Sequence, residues 1–415
     1  MTYSNPINHK GPDPQIELGL KNIKSFLSVL GNPQDTIQNI VHVAGTNGKG
    51  STIAFLESLL TNLAFKVGKY TSPHLINLTE RYQINGEQIT KEKFNSLFNA
   101  LSKYSQFATL THFEKLTAIA FQYFAEQNVD LLLLETGLGG RLDATNCIKK
   151  PILSLITNIG HDHQDFLGDT LQEISKEKAG ILKPNIPFMT TAKGISLEVI
   201  VSQAQRIHSP QIELRKFILD KTKLGLKGSY QEGNAQLALN AFKYIHGLLN
   251  PQLPFKEDSY IETAIYKTQN WPGRFEIRQL KNKNIILDGA HNKEAANGLK
   301  QSLDEYFPKE KRIWLLGFLK NKDYREFLNQ AVQKEDSVIF TFADTEVNSV
   351  VPKDLVIASS QIIQNIKIST NSEIREAFES AKNQLLKEEQ KTILVVSGSL
   401  YLVGKVMELI SESED

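Results

Sequence analysis

Hydrophobic residues follow two different spacings along the chain. Over Ile16–Leu30, 113–127 and 171–182 they recur at helical spacing, which predicts amphipathic helices. The runs Val129–Glu135 and Ile152–Thr157 are short and almost continuously apolar, which predicts strands buried on both faces. Because such strands alternate with helices, the pattern predicts an α/β fold with a mostly parallel sheet between two layers of helices.

A further strand–loop–helix unit lies closer to the N-terminus. The β-like run Ile40–Val43 leads into the glycine loop Gly45–Ser51, and a helical run follows over residues 51–60. Phe65–Tyr70 is again strand-like. This order of elements brings a helix N-terminus to the edge of a sheet, where ligands bind.

The pattern changes at the turn cluster Asn270–Gly273, which reads NWPG. A second α/β series follows, with strands predicted at Asn284–Leu287, Arg312–Leu316, Ser337–Phe340 and Thr392–Val396. A chain of 415 residues is also longer than one hydrophobic core usually serves. We therefore predict two domains, residues 1–270 and a smaller one at residues 271–415.

Composition and charge narrow the class of protein. Charged residues make up 22% of the chain and the formal net charge is +1, so no excess of positive charge indicates a nucleic-acid surface. The one cysteine, Cys147, excludes a disulfide within the chain. The apolar runs are too short to span a bilayer, and the first residues form no apolar signal segment. We expect a cytoplasmic protein that binds neither nucleic acid nor membranes.

The glycine loop has the composition of a phosphate-binding loop with an unusual spacing. It reads GTNGKGS, whereas the standard template G-x-x-x-x-G-K-[ST] has four residues between its glycines. Glycines let backbone N–H groups converge on phosphate oxygens, Lys49 adds positive charge, and Ser51 or Thr52 offers a hydroxyl to a phosphate-bound magnesium ion. The alternative is a glycine-rich turn before a helix, but the flanking strand and helix favour a nucleotide site.

Polar side chains that suit a metal ion follow three of the predicted strands. These side chains are Ser72, Glu135 and His163. The carboxyl ends of parallel strands meet at one edge of a sheet, and a carboxylate ending a buried strand is costly unless it is paired or bound to a cation. Histidine is an unusual ligand for magnesium, so the His-Asp-His run at 161–163 leaves open a transition metal or hydrogen-bonded loop histidines.

Seven sequence motifs occur in a fixed order between residues 45 and 292. They are GTNGKGST; TSPHL followed by Glu80-Arg81; THFEKLTAIAF; ETGLGGRLDATN; TNIGHDH with FLG and EKAGILK; PGRFE; and LDGAHN. Together they resemble folylpolyglutamate synthases and the bifunctional dihydrofolate synthases, which belong to the Mur-ligase-like group of ATP-dependent amide ligases. The stretch SGSLY at 397–401 also fits this family. The resemblance implies a P-loop-type N-terminal ATPase domain and a Rossmann-like C-terminal ligase domain.

The resemblance also implies a reaction. ATP would phosphorylate a substrate carboxylate, and the amine of L-glutamate would then attack the acyl phosphate to give an amide, ADP and phosphate. The acid would be dihydropteroate, a reduced folate, or both. Mg²⁺, in two ions, a carbamylated Lys178 and a monomeric protein are implied as well. Without the resemblance, Lys178 is an ordinary solvated helix lysine.

Each site residue follows from the resemblance, position by position. Catalytic roles fall to Lys49, His163 and Lys178; ATP binding to Asn47, Gly48, Lys49, Gly50, Ser51, Asn234, Arg274 and Asp288; metal binding to Ser72, Glu135 and His163; folate or pteroate binding to Thr111, Phe113, Glu114, Leu142, Asp143 and Ala144; and glutamate binding to His291 and Ser399. One position departs from the family, because residue 161 is His where members often have an apolar residue such as leucine.

Simpler alternatives exist for several of these residues. Asn234 is also placed to be a helix N-cap, Arg274 a surface ion-pair partner and Asp288 a turn residue, while His291 and Ser399 are placed to cap the helices that follow them. Phe113 is equally a helix-core residue.

Two other functions compete with this one. The first is a related Mur-type ligase that acts on another carboxylic acid, and the stretches Thr111–Glu114 and Leu142–Ala144 argue against it. The second is a GTPase-type switch, whose guanine-reading Asn-Lys-x-Asp motif has no counterpart in a matching context.

Overall fold

The structure, a computed structural model, describes residues 19–269, 271–363, 366–388 and 391–412. Its strands are β1 (Ile40–Ala44), β2 (Val67–Tyr70), β3 (Tyr82–Ile84), β4 (Glu87–Gln88), β5 (Leu131–Glu135), β6 (Leu153–Ile156), β7 (Phe188–Thr190), β8 (Glu276–Leu280), β9 (Lys283–Leu287), β10 (Lys311–Leu316), β11 (Ser337–Phe340), β12 (Lys367–Thr370) and β13 (Thr392–Ser397).

The helices alternate with these strands. They are α1 (Lys21–Val29), α2 (Lys49–Thr61), α3 (Lys91–Leu101), α4 (Ser105–Ala108), α5 (His112–Glu126), α6 (Gln164–Leu167), α7 (Leu171–Ala179), α8 (Gly194–Arg206), α9 (Gln231–Leu249), α10 (Glu257–Tyr260), α11 (Lys293–Tyr306), α12 (Tyr324–Ala331), α13 (Pro352–Ile362), α14 (Ile374–Lys387) and α15 (Leu400–Glu412). Short 3₁₀ turns lie at Pro33–Asp35, Leu78–Arg81, Ala144–Cys147 and Lys221–Lys223, and a π-helical turn at Ile261–Ile265.

The first sheet has the strand order β4-β3-β2-β5-β1-β6-β7. Strands β2, β5, β1, β6 and β7 run parallel, whereas β3 and β4 are joined to them antiparallel. In β5, Leu131 and Leu133 face the core formed with α2 and α9, and Leu132 and Leu134 face the core formed with α1, α3 and α5. The strand is therefore apolar on both faces, as its sequence predicts.

The second sheet has the order β12-β11-β10-β13-β9-β8, and only the edge strand β8 is antiparallel. Helices cover both of its faces, with α11 and α12 on one side and α14 and α15 on the other. The predicted fold class, two α/β units with mostly parallel sheets, is confirmed. The division of the chain at residue 270 stays a prediction, and Asn270 lies outside the described residues.

The strands that the pattern missed are short or sit at sheet edges. Strands β3, β4 and β12 have only two to four residues; β4 and β12 have largely accessible side chains, and β8 alternates between accessible and half-buried residues. The first helix is shorter than predicted, beginning at Lys21, and residues 16–18 of the prediction lie outside the described part of the chain.

The segment between the two sheets packs against the first. The indole of Trp271 lies so close to Gly50, in the first turn of α2, that a Cβ there would be 2.0 Å from the ring. The ammonium of Lys69 lies 5.4 Å from the centre of the same ring. Within the described residues, no helix combines the length and apolar character needed to cross a membrane.

Candidate active site

Segments at the carboxyl ends of β1, β2, β5, β6 and β7 in the first sheet and of β9 in the second border one cleft of about 890 Å³. Most of the predicted site residues line it: Asn47, Gly48, Lys49, Gly50, Ser51, Ser72, Glu135, His163, Lys178, Asn234, Arg274, Asp288 and His291. The predicted pterin residues and Ser399, all in the described part of the chain, do not line it. The residues predicted to bind ATP and metal therefore lie together in one cleft with His291, and their roles stay predictions.

The glycine loop turns sharply between β1 and α2. Gly48 has a φ of +87°, a conformation that favours glycine, and a Cβ at this position would lie 2.4 Å from the side-chain oxygen of Asn234. The loop is anchored to the segment after β6, since the backbone N–H of Thr46 donates to the Asn158 carbonyl and that of Asn47 to the Asn158 side chain, both at 2.8 Å. Helix α2 begins at Lys49, so its N-terminus points into the cleft.

Lys49 and Glu135 form the charged centre of the loop. The Lys49 ammonium donates to the carbonyls of Gly45 and Thr46 at 3.0 and 3.2 Å and lies 3.9 Å from the Glu135 carboxylate. Burial lowers the pKa of Lys49 and raises that of Glu135, although each charge opposes the shift of the other. Glu135 also accepts a hydrogen bond from the backbone N–H of Ser72 at 3.2 Å.

Lys178 is buried on the other side of the loop. It belongs to α7, and its amine donates to the carbonyl of Gly45 at 2.9 Å. Burial, reinforced by the nearby charge of Lys49, lowers the pKa of Lys178 to about 7. The solvated-lysine alternative is therefore wrong, because only 4% of this residue is exposed.

His163 lies beside a buried aspartate, Asp162. The ring Nε2 of His163 is 3.2 Å from the ammonium of Lys322, whereas its Nδ1 is buried with no hydrogen-bond partner among the described residues. Burial lowers the pKa of His163 to about 3, against the attraction of Asp162. The neutral ring thus has the protonation state that metal ligation requires.

Asp162 joins the two domains. Its carboxylate accepts hydrogen bonds from the Lys322 ammonium at 2.6 Å and from the Asn292 side-chain amide at 3.3 Å. It also lies 3.5 Å from Nε2 of His291. Burial alone would raise the pKa of Asp162. The hydrogen bond and charge of His291, together with the charges of His163 and Lys322, outweigh burial and hold that pKa far below its ordinary value. Asn292 also exchanges amide hydrogen bonds with Asn47 of the glycine loop at 3.2 Å.

A further cluster of hydrogen-bonded groups surrounds Asp288 of the second domain. Asp288 is buried and accepts hydrogen bonds from the Tyr230 hydroxyl and from the backbone N–H groups of Phe275 and Ala290, at 2.7 to 2.8 Å. Burial raises its pKa, and the charge of Arg274 opposes that shift. The helix-cap alternative for Asn234 is wrong, because α9 begins three residues earlier at Gln231.

The predicted pterin residues make local structural contacts. Glu114 and Thr111 cap the start of α5 reciprocally, and Phe113 stacks on Tyr70 with ring centres 6.2 Å apart. Asp143 accepts hydrogen bonds from two backbone N–H groups of the loop after β5, at 2.7 and 2.9 Å, and from both N–H and hydroxyl of Thr145. These contacts shape the loop behind Glu135, and the pterin roles of these residues stay predictions.

The remaining predicted residues away from the cleft are Leu142, Ala144 and Ser399. Leu142 is half-buried and Ala144 is buried against the core below α5, next to Asp143. The hydroxyl of Ser399 accepts a hydrogen bond from the backbone N–H of Tyr401 at the start of α15, which matches its helix-cap alternative.

Ser72, Glu135 and His163 fit a divalent cation bound together with a nucleotide. No group of three or more His, Cys, Asp or Glu side chains within the described ranges is arranged to hold a metal alone. One carboxylate, one hydroxyl and one imidazole leave octahedral positions for water and phosphate oxygens, as magnesium prefers. The neutral imidazole of His163, with one ring nitrogen unpartnered, and the buried carboxylate of Glu135 are ligands of the right chemistry.

Sequence reasoning missed Asp162, Lys322, Asn292 and Tyr230. Asp162 and Asn292 stand beside predicted residues, so the signal was present in GHDH and AHN. Lys322 lies in an unremarkable lysine-rich loop, and nothing in its local pattern marks a side chain that crosses to the other domain.

Two known protein families match this chain and define the class of protein to which it belongs. The family described as the Mur ligase middle domain matches residues 43–187, and the family described as the dihydrofolate synthetase C-terminal domain matches residues 274–409. The fold and the cleft thus belong to an ATP-dependent ligase of the Mur type. The first match covers the glycine loop, Glu135, His163 and Lys178.

Individual relatives narrow the class to one family. The chain is 35% identical to a probable dihydrofolate synthetase of Schizosaccharomyces pombe, covering 94% of this chain and 97% of the relative. It is 32% identical to a dihydrofolate synthase/folylpolyglutamate synthase of Bacillus subtilis, over 94% of both chains. A bifunctional folylpolyglutamate synthase/dihydrofolate synthase from Yersinia pestis, crystallised with AMPPNP and a Mn ion, superimposes with a TM-score of 0.81 at 27% identity, covering 97% and 95% of the chains. The chain belongs to the dihydrofolate synthase/folylpolyglutamate synthase family.

Proposed function

We propose that this chain joins L-glutamate to the carboxylate of a folate or pteroate, using ATP and an acyl phosphate intermediate. The observation that carries the proposal is the grouping of Lys49, Glu135 and Lys178 around the glycine loop, facing Arg274 and His291 of the second domain across one cleft. The full-length similarity to dihydrofolate and folylpolyglutamate synthases supports the substrates.

Phosphate binding falls to the glycine loop. The backbone N–H groups at the start of α2 and the ammonium of Lys49 provide positive charge where the β- and γ-phosphates of ATP would lie. Gly48 and Gly50 lack side chains where Asn234 and the Trp271 ring pack against the loop. Arg274 would add charge from the second domain, and Asp288 with Tyr230 would face the nucleoside.

Ser72, Glu135 and His163 would hold a divalent cation. When bound, this cation supplies the positive charge that lets an anionic carboxylate approach the triphosphate. The Mn ion and AMPPNP in the relative from Yersinia pestis support a cation bound with the nucleotide. Glu135 is well suited, because its carboxylate is buried and its ion-pair partner Lys49 lies as far as 3.9 Å away.

We further propose that Lys178 is carbamylated by CO₂. The lowered pKa of about 7 leaves its amine largely neutral near neutral pH, and only a neutral amine reacts with CO₂. A carbamate nitrogen keeps one N–H, so the hydrogen bond to the Gly45 carbonyl survives the modification. The nearby charge of Lys49, which disfavours an ammonium, would favour the carbamate anion.

The contacts across the cleft support a reaction sheltered from water. Two hydrogen-bonded pairs hold the second domain over the glycine loop, Asp162 with Lys322 and Asn47 with Asn292. An acyl phosphate hydrolyses readily, so a closed cleft gives the amine of glutamate priority over water.

The test is an ADP-release assay with purified protein, ATP and Mg²⁺. Dihydropteroate and tetrahydrofolate are supplied in parallel, each with and without L-glutamate, and the Lys49→Met variant measures contaminating ATPase activity. We expect glutamate-dependent ADP release with both acceptors. If neither acceptor stimulates release above the Lys49→Met background, the proposal is wrong.

A further inference from the structure

Lys322 reaches from the second domain into the metal side of the cleft. It lies in the loop between β10 and α12, and its side chain is only 7% exposed. Its ammonium contacts both Asp162 Oδ1, at 2.6 Å, and His163 Nε2, at 3.2 Å. A residue of one domain thus contacts a proposed metal ligand of the other.

The contact fixes the protonation of the His163 ring. An ammonium has three donors and no acceptor, so Nε2 must accept the hydrogen bond from Lys322. The neutral ring then carries its proton on Nδ1. That nitrogen is buried and has no acceptor within the described part of the chain, so this arrangement leaves one donor unsatisfied.

A metal ion and Lys322 need the same electron pair. A neutral imidazole has one ring nitrogen with a free lone pair, and the other nitrogen carries the proton. If a cation binds Nε2, the pair used by Lys322 is taken. If it binds Nδ1, the proton resides on Nε2 and faces the ammonium. In either case a metal-bound neutral His163 no longer accepts from Lys322.

We propose that Lys322 and the divalent cation compete for His163, so that loading the cation expels Lys322 from the histidine and leaves its ammonium on Asp162. This rests on the proposed function, because it takes His163 as a metal ligand. Since Lys322 belongs to the second domain, the competition couples cation binding in the first domain to a contact that holds the two domains together. Lys322 is in this sense a positioning residue.

A purely structural role for Lys322 makes a different prediction. If its ammonium only neutralises the buried charge of Asp162, removing the ammonium leaves that negative charge uncompensated. A cation bound anywhere near Asp162 is then attracted more strongly. Cation affinity would then rise whether or not His163 is present. The competition, in contrast, acts through the imidazole, so the effect of removing Lys322 must be smaller when His163 is replaced.

The experiment is a Mn²⁺ titration of the full-length protein, followed by electron paramagnetic resonance of the free ion, with and without AMPPNP. Lys322→Met and Lys322→Gln are each measured in the wild-type and His163→Ala backgrounds, and circular dichroism confirms folding. Lys320→Met is the matched control, because Lys320 is an exposed lysine of the same loop.

We expect either Lys322 substitution to tighten Mn²⁺ binding about tenfold, the factor that corresponds to one hydrogen bond of ~1.4 kcal/mol. Lys320→Met should leave the affinity unchanged, and the tightening should be clearly smaller in the His163→Ala background, where only the uncovered charge of Asp162 contributes. Equal tightening in both backgrounds, or none in the wild type, overturns the competition. If His163→Ala alone leaves Mn²⁺ affinity unchanged, the metal-ligand assignment in the proposed function fails instead.

Discussion

Carbamylation of Lys178 is the part of the proposed chemistry that can be measured most directly. The pKa of its amine is about 7 rather than the ordinary 10.5. At about pH 7.5 such an amine is roughly three-quarters neutral, whereas an ordinary lysine is roughly 0.1% neutral. Burial beside Lys49 therefore increases the reactive form by almost three orders of magnitude.

The pH dependence follows from the sign of this shift. The folded protein binds fewer protons than the unfolded chain between about pH 7 and 10.5, so burying Lys178 costs most stability below pH 7 and the cost falls as the pH rises through that window. Carbamate occupancy should accordingly fall as the pH drops below about 7, because the amine becomes protonated.

Carbon-13 NMR with ¹³C-bicarbonate is the assay. We expect one protected carbamate resonance in the wild-type protein at pH 8, its loss in Lys178→Ala and Lys178→Arg, and its retention in Lys176→Ala, the exposed lysine of the same helix. Ligase activity should be lost in Lys178→Ala and partly restored by short carboxylic acids. Full activity of Lys178→Ala, or a wild-type spectrum without this resonance, would refute the reasoning.

Three further predictions concern the loop and its supports. Lys49→Met should lower kcat at least about 100-fold with an unchanged circular dichroism spectrum, because it removes the charge that we propose neutralises the ATP phosphates; wild-type turnover would contradict this. Gly50→Ala places a Cβ 2.0 Å from the Trp271 ring and should reduce the free energy of unfolding by about 1–3 kcal/mol in urea titrations, whereas Gly247→Ala, with nothing within 4 Å, should not. Asp143→Asn weakens its hydrogen bonds to backbone N–H groups and should cost about 1–3 kcal/mol of stability by the same measurement; an increase in the acceptor KM without loss of stability would favour direct pterin binding instead.

Much of the fold follows from hydrophobic pattern. Strands β1, β5, β6 and β13 are buried on both faces, so their apolar runs are unambiguous, and their bounds agree with prediction to within about two residues. Strands β4 and β12 lie at sheet edges with exposed side chains, so no apolar run marks them. Their pairing depends on contacts between distant segments, which a local pattern does not contain.

The site residues also fall into two groups, those that the local sequence predicts and those that only contacts between distant segments bring into place. Lys49 and Glu135 are predictable because a loop and a strand end fix their positions within one sheet. Lys322 is separated by 160 residues from Asp162, its partner, and only the packing of one domain on the other brings the two together. Glu114 illustrates the opposite limit, because its motif predicts pterin binding but does not reveal that its carboxylate caps α5.

The contact between Trp271 and Gly50 also gives the molecule a built-in optical reporter. The chain has only two tryptophans, and the other, Trp314, is fully buried in the second core with its indole N–H bonded to Asp336 at 2.8 Å. Replacing Trp314 by phenylalanine would leave a single tryptophan, on the segment that links the domains and against the first turn of the helix that follows the glycine loop. Its emission would then follow the movement of that link when a nucleotide or the second substrate arrives, without any attached label.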